Sequence, residues 1–163
     1  MSPEEPLRQP TAADIAALAA HLGPGSLLGE ASARERYAQD ETEDLRFLPA
    51  AVALPASTAE VQTILRFAHD RRLAVTPRGA GTGLSGGALA ATGGIVLGLE
   101  RMNRIREIDR RNLVAVVEAG VITADLQNAV EAVGLFYPPD PSSRESCQLG
   151  GNIAEDAAGP RSA

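Results

Sequence analysis

Five glycines fall within eleven consecutive residues in the middle of the chain, directly after a short apolar segment. Residues 77–87 read PRGAGTGLSGG, and Thr82 and Ser85 add two hydroxyl groups. Small residues in succession let backbone N–H groups turn toward one point and let an anion approach the main chain closely. Arg78 could add a positive charge at the rim. The pattern predicts a loop that binds a diphosphate, and a flexible turn without a ligand is the alternative.

Two well-known phosphate loops do not explain this segment. A P-loop needs Gly-Lys-Ser/Thr at the start of a helix, and no lysine follows these glycines. Residues 81–86 match G-x-G-x-x-G, but that motif requires a long helix whose N-terminus binds the pyrophosphate. Only residues 88–92 separate the loop from the next glycine pair. We therefore expect loop amides, without a helix, to hold the phosphates.

Two later segments also contain residues suited to a binding site. Residues 137–143 read YPPDPSS, and the prolines predict an extended, rigid path. Such a path suits a wall against a planar ring, or a stiff connection between elements. Residues 147–154 read CQLGGNIA, in which Gly150 and Gly151 permit either close backbone approach to a ligand or a tight turn.

The elements before the glycine loop are predicted by periodicity and capping residues. A helix is expected from Thr11 to Leu22, with Thr11 as its cap. Residues 51–54 form an apolar strand, Ser57 and Glu60 make a capping box for a second helix, and residues 73–76 form the next strand. This strand-helix-strand unit predicts a parallel pair. Residues 30–44 are polar and predict a surface connection, in which Tyr37 and Asp40 have no assignable role.

The elements after the loop predict a second, smaller unit. Residues 95–99 read as a buried strand. Residues 105–108 and 113–118 read as two strands joined by a turn at residues 109–112. Thr123 is expected to cap a third helix, which Gly134 ends.

Composition excludes several classes of protein. The 163 residues include 15 basic and 21 acidic ones, and the net charge of −6 argues against a nucleic-acid surface. The single cysteine, Cys147, and two histidines without ligand spacing predict no metal site. No apolar run approaches the roughly 20 residues of a membrane span. The first residues lack the layout of a signal peptide, so a cytoplasmic location is expected.

In this order, the strings PRGAGTGLSGGA, LFYPPDPSS and CQLGGNIAEDAAGP resemble the FAD-binding PCMH-type domain of the vanillyl-alcohol-oxidase superfamily, in particular its glycolate oxidase and D-lactate dehydrogenase branch. The resemblance implies an α+β fold: a truncated domain of that type, in which a small α/β subdomain with a parallel strand-helix-strand unit precedes the start of a second mixed sheet. Residues 1–47 are then an N-terminal helix and connection, and residues 48–163 are the C-terminally incomplete FAD-binding domain.

The resemblance also implies roles for individual residues. The glycine loop would wrap the FAD diphosphate with its amides, the proline segment would lie beside the cofactor, and the third segment would pack near the isoalloxazine ring. The cofactor-binding residues expected on this basis are Arg78, Gly79, Ala80, Gly81, Thr82, Gly83, Leu84, Ser85, Pro139, Asp140, Ser143, Gly150, Gly151, Asn152, Ala154, Asp156 and Ala157.

Two features qualify the expected flavin site. Asp156 stands where the family pattern has asparagine, and a carboxylate there would disfavour the anionic reduced ring unless it points away. Some family members attach the flavin through His or Cys. No histidine follows His69, and a lone Cys147 is typical of a small buried residue, so FAD is expected to be bound non-covalently.

The activity implied by the resemblance is oxidation of a 2-hydroxy acid of the glycolate or D-lactate type. In proteins of this family, the substrate-binding and catalytic residues lie in regions that have no counterpart in this sequence. No catalytic residue is therefore assigned. Three interpretations stay open: the FAD-binding part of an oxidoreductase that is inactive without further chain or other oxidase subunits, a stand-alone FAD- or diphosphate-binding module, and a remnant that binds nothing.

Overall fold

The computed structural model describes residues 6–157 and 159–160 as two adjoining α/β units. In chain order the elements are α1 (Ala12–His21), β1 (Leu27–Leu28), α2 (Ala31–Arg34), a 3-10 turn (Glu35–Tyr37), β2 (Ala51–Ala53), α3 (Thr58–Asp70), β3 (Val75–Arg78), β4 (Ile95–Gly98), β5 (Ile105–Asp109), β6 (Val114–Val117), α4 (Thr123–Glu131) and α5 (Leu149–Ala154).

The first unit is a four-stranded mixed sheet in the order β1-β2-β4-β3. Strands β2 and β3 each pair in parallel with β4, and β1 joins the edge antiparallel to β2. The predicted direct pairing of β2 with β3 is therefore wrong, because β4 lies between them. All four residues of β4 are buried, which suits the central position in a parallel sheet.

The helices of this unit begin largely as predicted. At α1 the capping box is complete: the Thr11 hydroxyl accepts from the Asp14 N–H, and the Asp14 carboxylate accepts from the Thr11 N–H. At α3 only half of the box forms, since Glu60 accepts from the Ala56 N–H instead of the cap residue. Leu18 of α1 and Ile64 of α3 pack with Ile95 of β4 in one apolar core.

The second unit is an antiparallel β5–β6 hairpin with α4 and α5. The Asp109 carboxylate accepts hydrogen bonds from the N–H groups of Arg111 and Asn112, which confirms the predicted turn. The sheet of the second unit was expected to be mixed, but its two strands are antiparallel. The mixed sheet is that of the first unit. Leu126, Val130 and Leu149 form the core of the second unit, against which the hairpin packs.

The ends of α4 show one correct and one wrong expectation. Thr123 does not cap the helix; it is the first helical residue, and its hydroxyl faces the core. Gly134 ends the helix as predicted: with φ +77° it donates to the Glu131 carbonyl, while Leu135 donates to Val130, which is a Schellman arrangement. Within the described part of the chain, no helix has the length and apolar character needed to span a bilayer.

Candidate functional site

The glycine loop begins where β3 ends and runs to β4 without a helix. Strand β3 covers residues 75–78, two residues later than predicted, so it delivers the chain directly into Gly79. None of the backbone N–H groups of residues 79–88 donates a hydrogen bond to another group of the described chain. Ten consecutive donors are thus available to an external acceptor, which fits the expected anion-binding loop.

Arg78 lies beneath the loop, so its predicted position at the rim is wrong. It is 6% exposed, and its Nη2 donates to the Gln39 carbonyl at 2.7 Å. The guanidinium lies 5.8 Å from the centre of the Tyr37 ring. Burial lowers the pKa of Arg78, while the nearby Asp40 raises it, and an arginine stays charged in either case. The residue therefore fixes the underside of the loop.

Gly81 passes so close over Arg78 that a side chain has no room. Its φ is +77°, and a Cβ on Gly81 would lie 2.6 Å from Cζ of Arg78. Any other residue would need a strained backbone and a shift of the buried Arg78 guanidinium, so both the conformation and the contact favour glycine at this position. The loop is shaped by the buried arginine below it.

A small central hollow of about 100 Å³ joins the loop to two distant parts of the chain. Its near wall is residues 79–83, and its far wall is Ser143 with the start and end of α5. The far wall consists of Ser143, Cys147, Gln148, Gly151, Asn152, Glu155 and Ala157. The three segments singled out in the sequence thus meet at one place.

Two larger hollows continue the central one on either side. The serine hollow, about 310 Å³, shares Thr82 and Ser143 with it and is lined by Glu41, Thr82, Leu84, Ser142, Ser143 and Ser146. The tyrosine hollow, about 280 Å³, shares Gly79, Ala80 and Gln148 with it and is lined by Arg36, Tyr37, Arg78, Gly79, Ala80, Glu100 and Gln148. Together they form a polar groove along the glycine loop.

A separate apolar hollow of about 610 Å³ lies on the second unit, between the hairpin and α4. It is the largest of the hollows described, but none of the expected cofactor residues lines it. A doubly charged ligand needs donors, which this apolar surface does not supply. The polar groove is therefore the better candidate site.

A buried polar network holds α5 against the groove. Asn152 donates from Nδ2 to the Thr123 hydroxyl at 2.7 Å, and that hydroxyl lies 3.2 Å from the Cys147 sulfur. A Cβ on Gly150 would lie 2.8 Å from Cβ of Ala119, so this glycine serves helix packing. Residues 149–154 form a short helix, and the alternative of a tight turn at the glycine pair is excluded.

Several expected cofactor residues lie outside the three hollows. The Pro139 carbonyl accepts from Gln127 Nε2, and the Asp140 carboxylate pairs with Arg144. Ser85 donates to the carboxylate of Glu155 at 2.9 Å. The remaining three are Gly150, which packs on Ala119, and Ala154 and Asp156, which are exposed.

Sequence reasoning missed several residues that line the groove, among them Tyr37, Glu100, Gln148 and Glu155. Tyr37, within a segment predicted to be a surface connection, is 3% exposed and donates to Glu100 at 2.8 Å. Burial first, and then the Glu100 carboxylate, raise the pKa of Tyr37 to about 12. Gln148 and Glu155 flank the Gly-Gly pair, but nothing in their local spacing pointed to the groove.

A helix-free glycine loop at the end of a parallel strand, facing a groove that a second α/β unit completes, is the architecture of FAD-binding domains of the PCMH type. The described chain superposes on alkyldihydroxyacetonephosphate synthase with a TM-score of 0.80 at 24% identity, covering 92% of this chain and 32% of that one. This likeness confirms the expected fold.

Sequence comparison identifies the family. The family model described as "FAD binding domain" matches residues 49–163, and the chain belongs to that family. It is 45% identical over 139 residues to glycolate oxidase subunit GlcD of Bacillus subtilis, covering 85% of this chain and 30% of that protein. It is 40% identical over 136 residues to D-2-hydroxyglutarate dehydrogenase of Stutzerimonas stutzeri, with 83% and 29% covered. The chain thus spans under a third of these relatives.

Proposed function

We propose that the chain holds FAD non-covalently in the polar groove, as the cofactor-binding part of an oxidoreductase that acts on a 2-hydroxy acid. The observation that carries the proposal is the run of unpartnered backbone N–H groups over residues 79–88, of which residues 79–83 line the central hollow and Leu84 lines the serine hollow. A diphosphate supplies the acceptors that these donors lack.

The fit between groove and cofactor is supported from both walls. Gly81 and the buried Arg78 shape a cradle that a side chain would fill, and Gln148 offers a buried carbonyl oxygen without a partner among the described residues. Residues 79–85 bind the diphosphate in this proposal, with Arg78 supporting them from below. Ser143, Gly151, Asn152 and Ala157 contact the cofactor from the far wall.

The remaining expected residues have less direct roles in this proposal. Pro139 and Asp140 border the far wall through Gln127 and Arg144, and Gly150 sets the depth of α5. Ala154 and Asp156 reach the cofactor only from the exposed end of α5. The exposed position of Asp156 suits a carboxylate that points away from an anionic ring.

The burial of the single cysteine supports non-covalent binding. Cys147 is 2% exposed and contacts the Thr123 hydroxyl. His21 lies on α1 and His69 on α3, and neither lines the groove. The buried thiol, which contacts a hydroxyl, and the two imidazoles outside the groove support non-covalent binding.

The substrate class rests on the printed names of the two relatives, since glycolate and D-2-hydroxyglutarate are both 2-hydroxy acids. When bound, the flavin supplies a hydride acceptor, and this chain orients it. We propose that turnover needs residues beyond this chain, from further polypeptide or other oxidase subunits. We further propose that the FAD-binding unit begins near residue 48, that residues 1–47 are an N-terminal helix and connection, and that the protein is cytoplasmic.

The test is reconstitution. The purified chain is mixed with FAD, desalted and examined by visible absorption, and the protein is then precipitated with acid. We expect a yellow protein that releases all its FAD on precipitation, without reduction of a dye by glycolate, D-lactate or D-2-hydroxyglutarate. A colourless protein contradicts FAD binding, FAD retained in the pellet contradicts non-covalent binding, and dye reduction contradicts inactivity alone.

A further inference from the structure

The side-chain oxygen of Gln148 is buried where the tyrosine hollow meets the central hollow. The residue is 7% exposed, and its Oε1 has no hydrogen-bond partner in the described chain. Its backbone is fixed, since it bridges to Ile122 and its carbonyl accepts from the Asn152 N–H at 3.0 Å. A buried carbonyl oxygen without a partner costs free energy, so a donor from the occupant of the hollow would relieve it.

The position of this oxygen relative to the loop limits what the donor can be. A Cβ on Gly79 would lie 3.5 Å from Oε1 of Gln148, which places the oxygen beside the first residue of the glycine loop. With a diphosphate on the loop amides, the group within reach of Gln148 is the one that adjoins the diphosphate. In FAD that group is a polyol on either side, the ribityl chain or the ribose.

The chemistry of the tyrosine hollow agrees with a polyol and disagrees with a further phosphate. Glu100 places a carboxylate on its wall, where Oε1 accepts from Tyr37 and from Arg36, each at 2.8 Å. Gln148 adds a second acceptor to the lining of the same hollow. Arg36 and Arg78 also line this hollow, so charge alone does not select the ligand. The Gln148 oxygen needs a hydrogen-bond donor, which a hydroxyl group supplies and an ionised phosphate does not.

We propose that the tyrosine hollow binds the hydroxyl-bearing chain next to the FAD diphosphate, and that Gln148 Oε1 accepts a hydrogen bond from one of its hydroxyls. Gln148 then distinguishes a dinucleotide from a bare diphosphate. This inference rests on the proposed binding of FAD to the glycine loop.

The experiment compares two ligands and three proteins: wild type, Gln148→Met and Gln62→Met. Methionine keeps the length of glutamine but removes the acceptor, and Gln62 is exposed on α3. FAD affinity is measured by flavin fluorescence, and inorganic pyrophosphate affinity by amide shifts of the loop. We expect Q148M to weaken FAD binding about tenfold, which corresponds to about 1.4 kcal/mol. Its pyrophosphate affinity should equal that of wild type, and Q62M should match wild type with both ligands.

Each other outcome overturns a specific statement. Equal FAD affinity of Q148M and wild type shows that water satisfies the oxygen and overturns the inference. Equal losses for FAD and pyrophosphate show that Gln148 merely shapes the loop, which also overturns it. A wild-type chain that binds neither ligand overturns the proposed function itself. If Q148M fails to fold, monodeoxy FAD analogues titrated into wild type probe the same hydrogen bond, and the absence of any analogue that binds about tenfold more weakly overturns the inference.

Discussion

The guanidinium of Arg78 lies directly against the α-carbon of Gly81. Strand β3 buries the arginine at its last residue, and the chain folds back over it three residues later with φ +77°. The arginine is held from the other side by the Gln39 carbonyl. The shape of the loop therefore depends on a buried charged side chain that lies beneath it.

Replacing Gly81 with alanine should damage both stability and FAD binding. A Cβ in the left-handed region costs about 1–2 kcal/mol, and here it also displaces the Arg78 guanidinium. We expect the free energy of unfolding in urea to fall by at least about 1 kcal/mol and FAD affinity to fall at least about tenfold.

Gly83 provides the matched control for that substitution. It has no positive φ, and nothing lies within 4 Å of a Cβ built on it. Gly83→Ala should therefore change stability by no more than about 0.5 kcal/mol. If G81A and G83A unfold at the same urea concentration, the contact between Gly81 and Arg78 does not shape the loop.

Arg78→Lys should destabilise the loop although it keeps the charge. Lysine lacks the planar fork that reaches the Gln39 carbonyl and packs beside Tyr37. Hydrogen bonds to charged groups contribute about 1.5–3 kcal/mol, and we expect a loss of that size in urea unfolding. Arg66→Lys on the exposed face of α3 is the control. Indistinguishable midpoints for R78K and R66K would refute the supporting role of Arg78.

Glu118 predicts a pH dependence of stability. It is 4% exposed, and its carboxylate accepts from Arg104 and Arg106 side chains at 2.9 and 2.8 Å. These hydrogen bonds, first those from Arg104, lower its pKa from 4.5 to about 2. Below the unfolded pKa the unfolded state binds the proton and the folded state does not. The stabilisation is therefore complete above about pH 4.5 and is lost as the pH falls toward 2.

Glu118→Gln should remove this dependence. Urea unfolding between about pH 5 and 2 should show a shallower loss of stability for E118Q than for wild type. Glu131→Gln, at an exposed position of α4, should keep the wild-type slope. An E118Q protein whose stability falls as steeply as that of wild type would show that another group titrates.

Glu155→Gln should strengthen FAD binding. The Glu155 carboxylate lines the central hollow and accepts from Ser85 at 2.9 Å, so it places a negative charge beside the proposed diphosphate. Glutamine keeps an acceptor and removes the charge. A unit charge at about 4 Å in water amounts to about 1 kcal/mol, so affinity should rise about fivefold at low salt.

Measuring FAD affinity at two salt concentrations distinguishes an electrostatic effect of Glu155→Gln from a change in the shape of the site. The gain in E155Q should shrink when FAD fluorescence titrations are repeated at about 0.5 M salt, because the Debye length falls toward 3 Å. Glu131→Gln should show no gain at either salt concentration. A loss of affinity in E155Q would mean that the carboxylate positions Ser85 for binding.

Local patterns explain why much of the fold and the loop could be predicted. The Thr11 cap, the Asp109 turn and the glycine loop each depend on residues a few positions apart, and the structure shows all three. The strand order could not be read in this way. The position of β4 between β2 and β3 depends on which strand buries both faces, and that is a property of the whole sheet.

The missed groove residues have the same explanation. Tyr37 is surrounded in sequence mostly by polar residues. It is buried because its ring packs in a core cluster with Val52 and Val96 and its hydroxyl donates to Glu100, 63 residues away. Arg78 was expected at the rim because a lone arginine next to glycines suggests an exposed charge. Its burial depends on the Gln39 carbonyl, which no local pattern indicates.

Titration of the ¹⁵N-labelled chain with FAD tests the central claim most directly. The account predicts that the largest amide shifts fall on residues 79–88, where the N–H groups lack partners, with smaller shifts at residues 151, 152 and 157 on the far wall. Shifts that cluster instead on the apolar hollow between the hairpin and α4, or no shifts at all with saturating FAD, would contradict it.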